Sequence, residues 1–319
     1  MSSHKISELF GVMAPDNAVV NVPAWDAALG AARETVDPSY GFQLSQLKKL
    51  LMVIASPQPP TRNVMMVGPS GCGKSSSILQ VAARMNKPVW QIACSGKTRV
   101  EHMLGARDLL NGNTVWTDGP LLKAMRHGGI FLADEITRLH PDEQMGLAPL
   151  LDGGARITVK ETGEVVEAHP GFRFFGTGNS NGTGDENGQY SGEKQASAAF
   201  TDRFMILECG YLGADAERRV VVANVPSMES HVDAMVRLAN DIRSSSVSQS
   251  GGMRTIFSTR SLVMWAKLAR AYQGMFEHNL LEALNDAILN ASPAEEKASI
   301  LKIWTDFMGA GTTARAKVA

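Results

Sequence analysis

The chain has 319 residues, with 31 Lys and Arg against 32 Asp and Glu, a formal net charge of -1. That balance gives no global pull towards nucleic acid or an anionic membrane surface, and no apolar run reaches the length that crosses a bilayer. Met1-Ser2-Ser3-His4-Lys5 lacks a signal-peptide apolar region, and the three cysteines, Cys72, Cys94 and Cys209, form neither a disulfide framework nor a metal spacing. The expectation is a cytoplasmic protein with core thiols.

Residues 1 to 43 are rich in Pro, Asp and Asn. Ile6, Leu9 and Phe10 predict a short helix, Val19 to Pro23 an extended edge, and Asp37 to Phe42 a turn-rich loop. Leu44, Leu47, Leu50, Leu51 and Ile54 recur at helical spacing, and Pro57, Pro59 and Pro60 end that helix. Val64 to Val67 then reads as a buried strand. Gly68-Pro69-Ser70-Gly71-Cys72-Gly73-Lys74-Ser75 fits the phosphate-loop pattern G-x-x-x-x-G-K-[ST], and Ser76 to Met85 reads as a helix. In that setting backbone N–H groups and the positive end of the helix converge on phosphate oxygens. Lys74 would reach the outer phosphates and Ser75 would ligate Mg²⁺.

Strands and helices alternate from here, which predicts a parallel sheet with helices on both faces. Pro88 to Cys94 is a second strand, residues 97 to 107 suggest a helix, and Asn111-Gly112-Asn113 is a hairpin turn between Leu109-Leu110 and Thr114-Val115-Trp116. Leu121 to Arg126 is a short helix before a third strand, Gly129 to Ala133, which ends in Asp134-Glu135. At the end of a buried strand, Asp134 can hold Mg²⁺ and Glu135 can orient or activate a water. The same pair would also serve to cap the helix that follows, and the phosphate loop on the preceding part of the sheet favours the nucleotide reading. Pro141 to Leu151 is predicted as a helix ended by Gly153-Gly154, and Arg156–Lys160 with Glu164–Ala168 as a hairpin around Glu161-Thr162-Gly163.

Phe172 to Gly176 is a fourth strand running into Thr177-Gly178-Asn179, which puts Asn179 on the same edge as Asp134, within reach of a γ-phosphate or its attacking water. An Asn in a Gly-rich turn is also ordinary turn chemistry. A long polar loop covers 180 to 198, and Met205 to Glu208 is a fifth strand. Beyond about Leu212 only helices follow, over 215–224, 227–243, 259–272, 275–290 and 293–308, with a Ser/Gly-rich break from Ser244 to Gly252 and a frayed tail after Gly309.

These residues together resemble the AAA+ ATPases, more narrowly their MoxR-type branch, and within it the small ATPase subunits of aerobic cobaltochelatases. The resemblance also covers Ile6 to Gly11, Val22-Pro23, Asp37 to Tyr40, the stretch Gly182 to Tyr190, and Ser258-Thr259-Arg260. It implies an α/β P-loop AAA+ core with a five-stranded parallel sheet, inserted β-hairpins and a C-terminal all-helical lid. The boundaries expected are 1–43 for an N-terminal extension, 44–212 for the nucleotide-binding domain and 213–319 for the lid. By resemblance Gly68 to Ser76 form Walker A, Asp134 and Glu135 Walker B, Asn179 sensor one, Arg203 an arginine finger and Arg260 sensor two. Without the resemblance, Arg203 reads as one half of an Asp202–Arg203 surface pair. Asn63 is expected as a polar switch touching Glu135 when a partner binds, or as an ordinary exposed strand start. Trp116 with its hairpin, and the 156–168 hairpin, are expected to face a pore or a partner, or in the case of Trp116 simply to pack.

The implied activity is ATP hydrolysis with Mg²⁺ in a homo-oligomeric, hexameric ring that remodels a partner protein carrying a von Willebrand factor A domain. The alternative is the ATPase subunit of a cobalt or magnesium chelatase acting on a tetrapyrrole. Asp134-Glu135-Ile136-Thr137-Arg138 lacks the acidic-aromatic continuation of the chelatase subunits, so general remodelling ranks first. A nucleic-acid motor fits the near-neutral charge less well.

Overall fold

The computed structural model describes residues 2–26, 31, 33–179, 198–246 and 254–308. Five apolar runs form one sheet: β1 (Asn63–Val67), β2 (Val89–Ala93), β3 (Ile130–Asp134), β4 (Arg173–Gly178) and β5 (Met205–Glu208). Their order is β5-β1-β4-β3-β2, every pairing parallel. Each residue of β1 and β4 is buried, as expected where both faces of a parallel sheet are covered. Met65, Phe131, Phe174 and Phe204 join the core on one side of it, together with Leu121, Met125 and Leu150 from neighbouring helices.

Two helices cover the start of the sheet. Leu44–Ile54 buries Leu47, Leu50, Leu51, Val53 and Ile54, and Lys74–Arg84 buries Ile78, Val81 and Ala82. The first is secured at its carboxyl end by Arg173, which is 3% exposed. Its Nε donates to the Val53 carbonyl (2.6 Å), Nη2 to Ser56 (2.6 Å), and Nη1 to Pro170 and Phe172 (2.8 Å each). A cation there satisfies carbonyls that the helix leaves orphaned and meets the negative end of its dipole. Burial, then the neighbouring Arg62, lowers this guanidinium to about 10, so it stays charged at neutral pH.

Among the described residues, three antiparallel pairs stand apart from the sheet. Ser2–Lys5 pairs with Val19–Val22, Gly105–Leu110 with Asn113–Asp118, and Arg156–Val159 with Glu164–Glu167. The helix expected over 97–107 is thus cut short. It spans only Val100–Leu104, because Gly105 turns out of it and pairs with Asp118 at the start of a hairpin. The helix expected from Pro141 to Leu151 is two, Pro141–Gly146 and Ala148–Leu151, parted at Leu147 between a glycine and Pro149. After it the left-handed residue is Ala155 (φ 43°) rather than Gly153 or Gly154. Arg126, on helix Pro120–His127, ties the last two hairpins together. Its Nε donates to Asp118 (2.7 Å) and its two terminal nitrogens form a fork on Glu164 (2.8 and 2.7 Å).

The chain forms two units. The first holds the described residues up to Gly210 except Ser39–Gly41 and Ser70–Cys72; the second holds those two pieces and the helices from Tyr211 onward. The second unit contains helices Ala214–Asn224, Glu229–Ser246, Thr259–Ala271, Asn279–Ala287 and Ala294–Met308. Its own core includes Val232, Leu238, Trp265, Leu284 and Trp304. The expected loop from 180, the Gly182 to Tyr190 stretch, the break after Ser246 and the tail after Gly309 lie outside the described residues. Among those described, no helix is long and apolar enough to cross a membrane.

Replacing Arg173 with Met strips four carbonyls of a donor and is expected to lower stability by about 2–4 kcal/mol. The check is a drop in urea midpoint at unchanged m. Arg173→Lys recovers only part of it, because a point charge does not span the fork.

Candidate nucleotide-binding site

The carboxyl ends of β1, β3 and β4 share one edge, since Gly178 is level with Val67 and Gly176 with Ala133. The phosphate loop leaves β1 there. Gly68 (φ 152°) admits no side chain: a Cβ would sit 1.9 Å from the Cys209 carbonyl oxygen. Gly73 (φ 95°) makes the left-handed step into helix Lys74–Arg84. Pro69, Ser70, Gly71 and Cys72 are half-buried, and Ser76 is exposed on the first helical turn.

Lys74 is buried and curls back over the loop. Its Nζ donates to the carbonyls of Gly68 (2.7 Å) and Pro69 (2.9 Å) and to Asn179 Oδ1 (3.0 Å). Ser75 Oγ donates to Asp134 Oδ1 at 2.6 Å. Thr177 Oγ1 donates to the same carboxylate oxygen and accepts the Glu135 N–H (2.9 Å). Lys74, Ser75, Asp134 and Asn179, far apart in sequence, therefore meet at one edge. A hydroxyl facing a carboxylate is an oxygen donor set suited to a hard divalent cation, so the residues fit Mg²⁺. The loop glycines and Lys74 fit a polyphosphate.

Glu135 follows in the left-handed region (φ 55°), an uncommon conformation for Glu, braced by that bond to Thr177. Its carboxylate pairs with Arg138 Nη1 at 3.0 Å. Sequence reasoning singles out neither Thr177 nor Arg138. A Thr near the carboxyl end of a buried strand, one residue past Gly176 that is level with Ala133, is the available signal for the first.

Arg203 lies elsewhere. It precedes β5, whose first residue Met205 is level with Val64, four residues below Gly68. It is therefore roughly 13 Å or more from the loop along the strands. It pairs with Asp152 (2.7 Å) rather than Asp202, and also donates to the Ala199 carbonyl. Asn63 is at that same amino end, level with Phe174 and so with Phe131, four residues before Glu135. Its amide donates to the carbonyls of Leu151 (2.7 Å) and Arg203 (3.2 Å). The expected contact of Asn63 with Glu135 is overturned: the two sit at opposite ends of the sheet. Nor is Asn63 an exposed strand start, being buried. Arg260, in the second unit, is exposed on the first turn of helix Thr259–Ala271, whose amino end Ser258 caps by accepting from the Ser261 N–H (3.1 Å).

Residues 63–204 match the family "AAA domain (dynein-related subfamily)", and residues 217–300 match "CbbQ/NirQ/NorQ C-terminal". An aerobic cobaltochelatase subunit CobS from Sinorhizobium sp is 30% identical over 277 residues, 84% of this chain and 80% of that protein. The chain belongs to the MoxR-type AAA+ ATPases. Among other relatives, NorQ of Paracoccus denitrificans is 30% identical over 226 residues, 70% of this chain and 80% of that protein. CbbQ of Hydrogenophilus thermoluteolus is 32% identical over 171 residues, 54% of this chain and 60% of that protein. The fold resembles a mutant form of Thermotoga maritima RuvB at a TM-score of 0.51 and 13% identity, over 76% of this chain and 69% of that one. As a family, AAA+ ATPases use nucleotide and Mg²⁺ and act as oligomers.

Cys94 follows β2 and donates its N–H to the Asp134 carbonyl (2.7 Å). Burial, then the charges of Asp134 and Glu135, pushes its thiol up to about 12. Cys94 should therefore react with iodoacetamide at pH 8 about a thousandfold more slowly in the native protein than in the unfolded chain. Peptide mass spectrometry of both states checks this, and equal rates would contradict the site's geometry.

Proposed function

We propose that this AAA+ chain hydrolyses ATP to ADP and phosphate in a cytoplasmic, hexameric ring and uses the turnover to remodel a partner protein, one carrying a von Willebrand factor A domain. The observation that carries the reading is that Lys74 meets Asn179, and Ser75 and Thr177 meet Asp134, at one sheet edge. Residues 44–212 form the motor core in this reading and 213–319 its lid.

Each group has a role that its position permits. Backbone amides of Gly68 to Ser76 surround the phosphates, and the Lys74 ammonium exchanges its loop carbonyls for phosphate oxygens. Ser75 and Asp134 hold Mg²⁺, which supplies neutralisation of phosphate charge. Glu135 leaves Arg138, orients the attacking water and accepts its proton. The Asn179 amide faces the γ-phosphate. Arg260 adds positive charge from the helical unit as sensor two. Arg203, held at the opposite end of the sheet from its own loop, serves the site of a neighbouring subunit, so that nucleotide binding favours ring closure. The hairpins tied by Arg126 present Leu109 and Val165, 75% and 55% exposed, towards the pore or the partner.

A second reading is the ATPase subunit of a metal chelatase acting on a tetrapyrrole. What favours it is the likeness to the cobaltochelatase subunit over most of both chains. The match of residues 217–300 to the CbbQ/NirQ/NorQ family, whose description names no chelatase, keeps the first reading ahead.

Glu135→Gln is expected to keep ATP bound while turnover falls about a hundredfold or more. Lys74→Ala should abolish binding. Fluorescent-nucleotide titration beside phosphate release checks both, and normal turnover by Glu135→Gln would remove Glu135 from its role. A pulldown with ATP-locked Glu135→Gln then separates the readings. A large chelatase subunit among the captured proteins favours the second, and a different von Willebrand factor A protein the first.

A further inference from the structure

The second unit contains a buried ion pair that the site described above does not use. Glu217, on helix Ala214–Asn224, is fully buried. Arg243, on helix Glu229–Ser246, grips it with a fork, Nη1 to Oε2 at 2.7 Å and Nη2 to Oε1 at 2.9 Å. Arg243 also donates Nε to the Phe257 carbonyl (2.6 Å) and Nη1 to Asn240 (3.0 Å). A buried charge pair of this kind contributes little net stability over apolar packing, so its placement invites a functional account.

The pair reaches outward in two directions. On one side the Arg243 guanidinium lies 4.2 Å from the centre of the Tyr211 ring, a cation–π contact, and the Tyr211 hydroxyl donates to the Ser70 carbonyl at 3.1 Å. Ser70 belongs to the phosphate-loop piece, Ser70–Cys72, that is part of this unit. On the other side Glu217 Oε1 accepts from Thr259 Oγ1 (2.6 Å), and the Arg243 bond to Phe257 secures the backbone just before Ser258. Thr259 begins the helix whose next residue is Arg260. In the same place a Cβ on Gly71 would fall 2.4 Å from Ser258 Cβ. One guanidinium thus fixes both the loop tip and the helix start that bears Arg260.

We propose that Arg243 is a positioning residue. Through Tyr211 it sets the Ser70 carbonyl, and through Glu217 and Thr259 it sets the helix end that presents Arg260, so that a shift at either end is felt at the other. Arg suits the task because its planar fork meets the carboxylate bidentately while its face stacks on the ring. The network is fully satisfied, which makes it stiff. The turnover readout rests on the ATPase reading; the loop readout does not.

Two mild variants test it in the full-length chain. Tyr211→Phe keeps the ring under Arg243 and removes the hydroxyl that bonds to Ser70. Thr259→Val removes only the bond to Glu217. Amide exchange over residues 68–76 should rise about three- to tenfold in Tyr211→Phe without nucleotide. In both variants kcat should fall by a similar factor with melting temperature unchanged, and the double variant should fall less than the product of the two. Arg243→Met should loosen exchange at both 68–76 and 257–262. Wild-type exchange and kinetics in both mild variants would overturn the proposal and leave the ion pair a packing element only. Should the wild-type chain turn over no ATP, the ATPase reading fails, and the exchange comparison still decides the positioning role.

Discussion

A parallel sheet has two unlike ends, and the candidate functional residues of this chain are divided between them. Because β1, β3 and β4 all run the same way, the residues that follow them emerge together. Lys74, Asp134, Glu135 and Asn179 are brought to one edge by the shared direction of the paired strands, and the Lys74–Asn179 bond joins two of them. The residues that precede the strands, Asn63 and Arg203, are consigned by the same rule to the other edge. A site needing groups from both ends cannot be completed within one subunit while the sheet stays intact. Completion across a subunit boundary is the arrangement that such a sheet permits.

The Asp134 carboxylate is the fixed point of the edge. Two hydroxyls, from Ser75 and Thr177, donate to one of its oxygens, and the Thr177 oxygen in turn braces the Glu135 backbone in a left-handed turn. Buried polar groups cost free energy unless paired. Here they are paired with one another, which holds the edge rigid before any ligand arrives. The side chains to which the proposed function gives mobile roles are held by partners within the chain: Lys74 by loop carbonyls, Glu135 by Arg138, Arg203 by Asp152. The Glu135–Arg138 and Arg203–Asp152 pairs are partly exposed, and such pairs contribute little and exchange readily.

What is legible in the sequence follows the same physics. The three central strands, β1, β3 and β4, can be read from apolar runs because burial on both faces leaves no alternation to confuse them, while the edge strands β2 and β5 are only partly buried. The phosphate loop can be read because its glycines answer to backbone geometry. Three features escape. Ser2–Lys5 is exposed throughout and carries no apolar signal; it is a strand only because Val19–Val22 offers it a partner. The helical pattern after Val100 continues past Gly105 on paper, yet the hairpin takes those residues for its ladder. Asn63 is expected to meet a partner at the wrong end of the sheet, because strand polarity places it and local sequence does not. Thr177 shows the remaining gap. Its role depends on the register of the β3–β4 pair, which sets it beside Asp134 and which no single segment encodes.

The central claim, that Arg203 works on a site other than its own, is tested most directly by mixing inactive subunits. Arg203→Ala chains keep an intact phosphate loop, and Lys74→Ala chains keep an intact arginine. Combined in rings whose mixed composition is verified by native mass spectrometry, the two should recover part of the wild-type ATP turnover that neither shows alone. Mixed rings as inactive as either parent would contradict the account and return Arg203 to a role within its own chain.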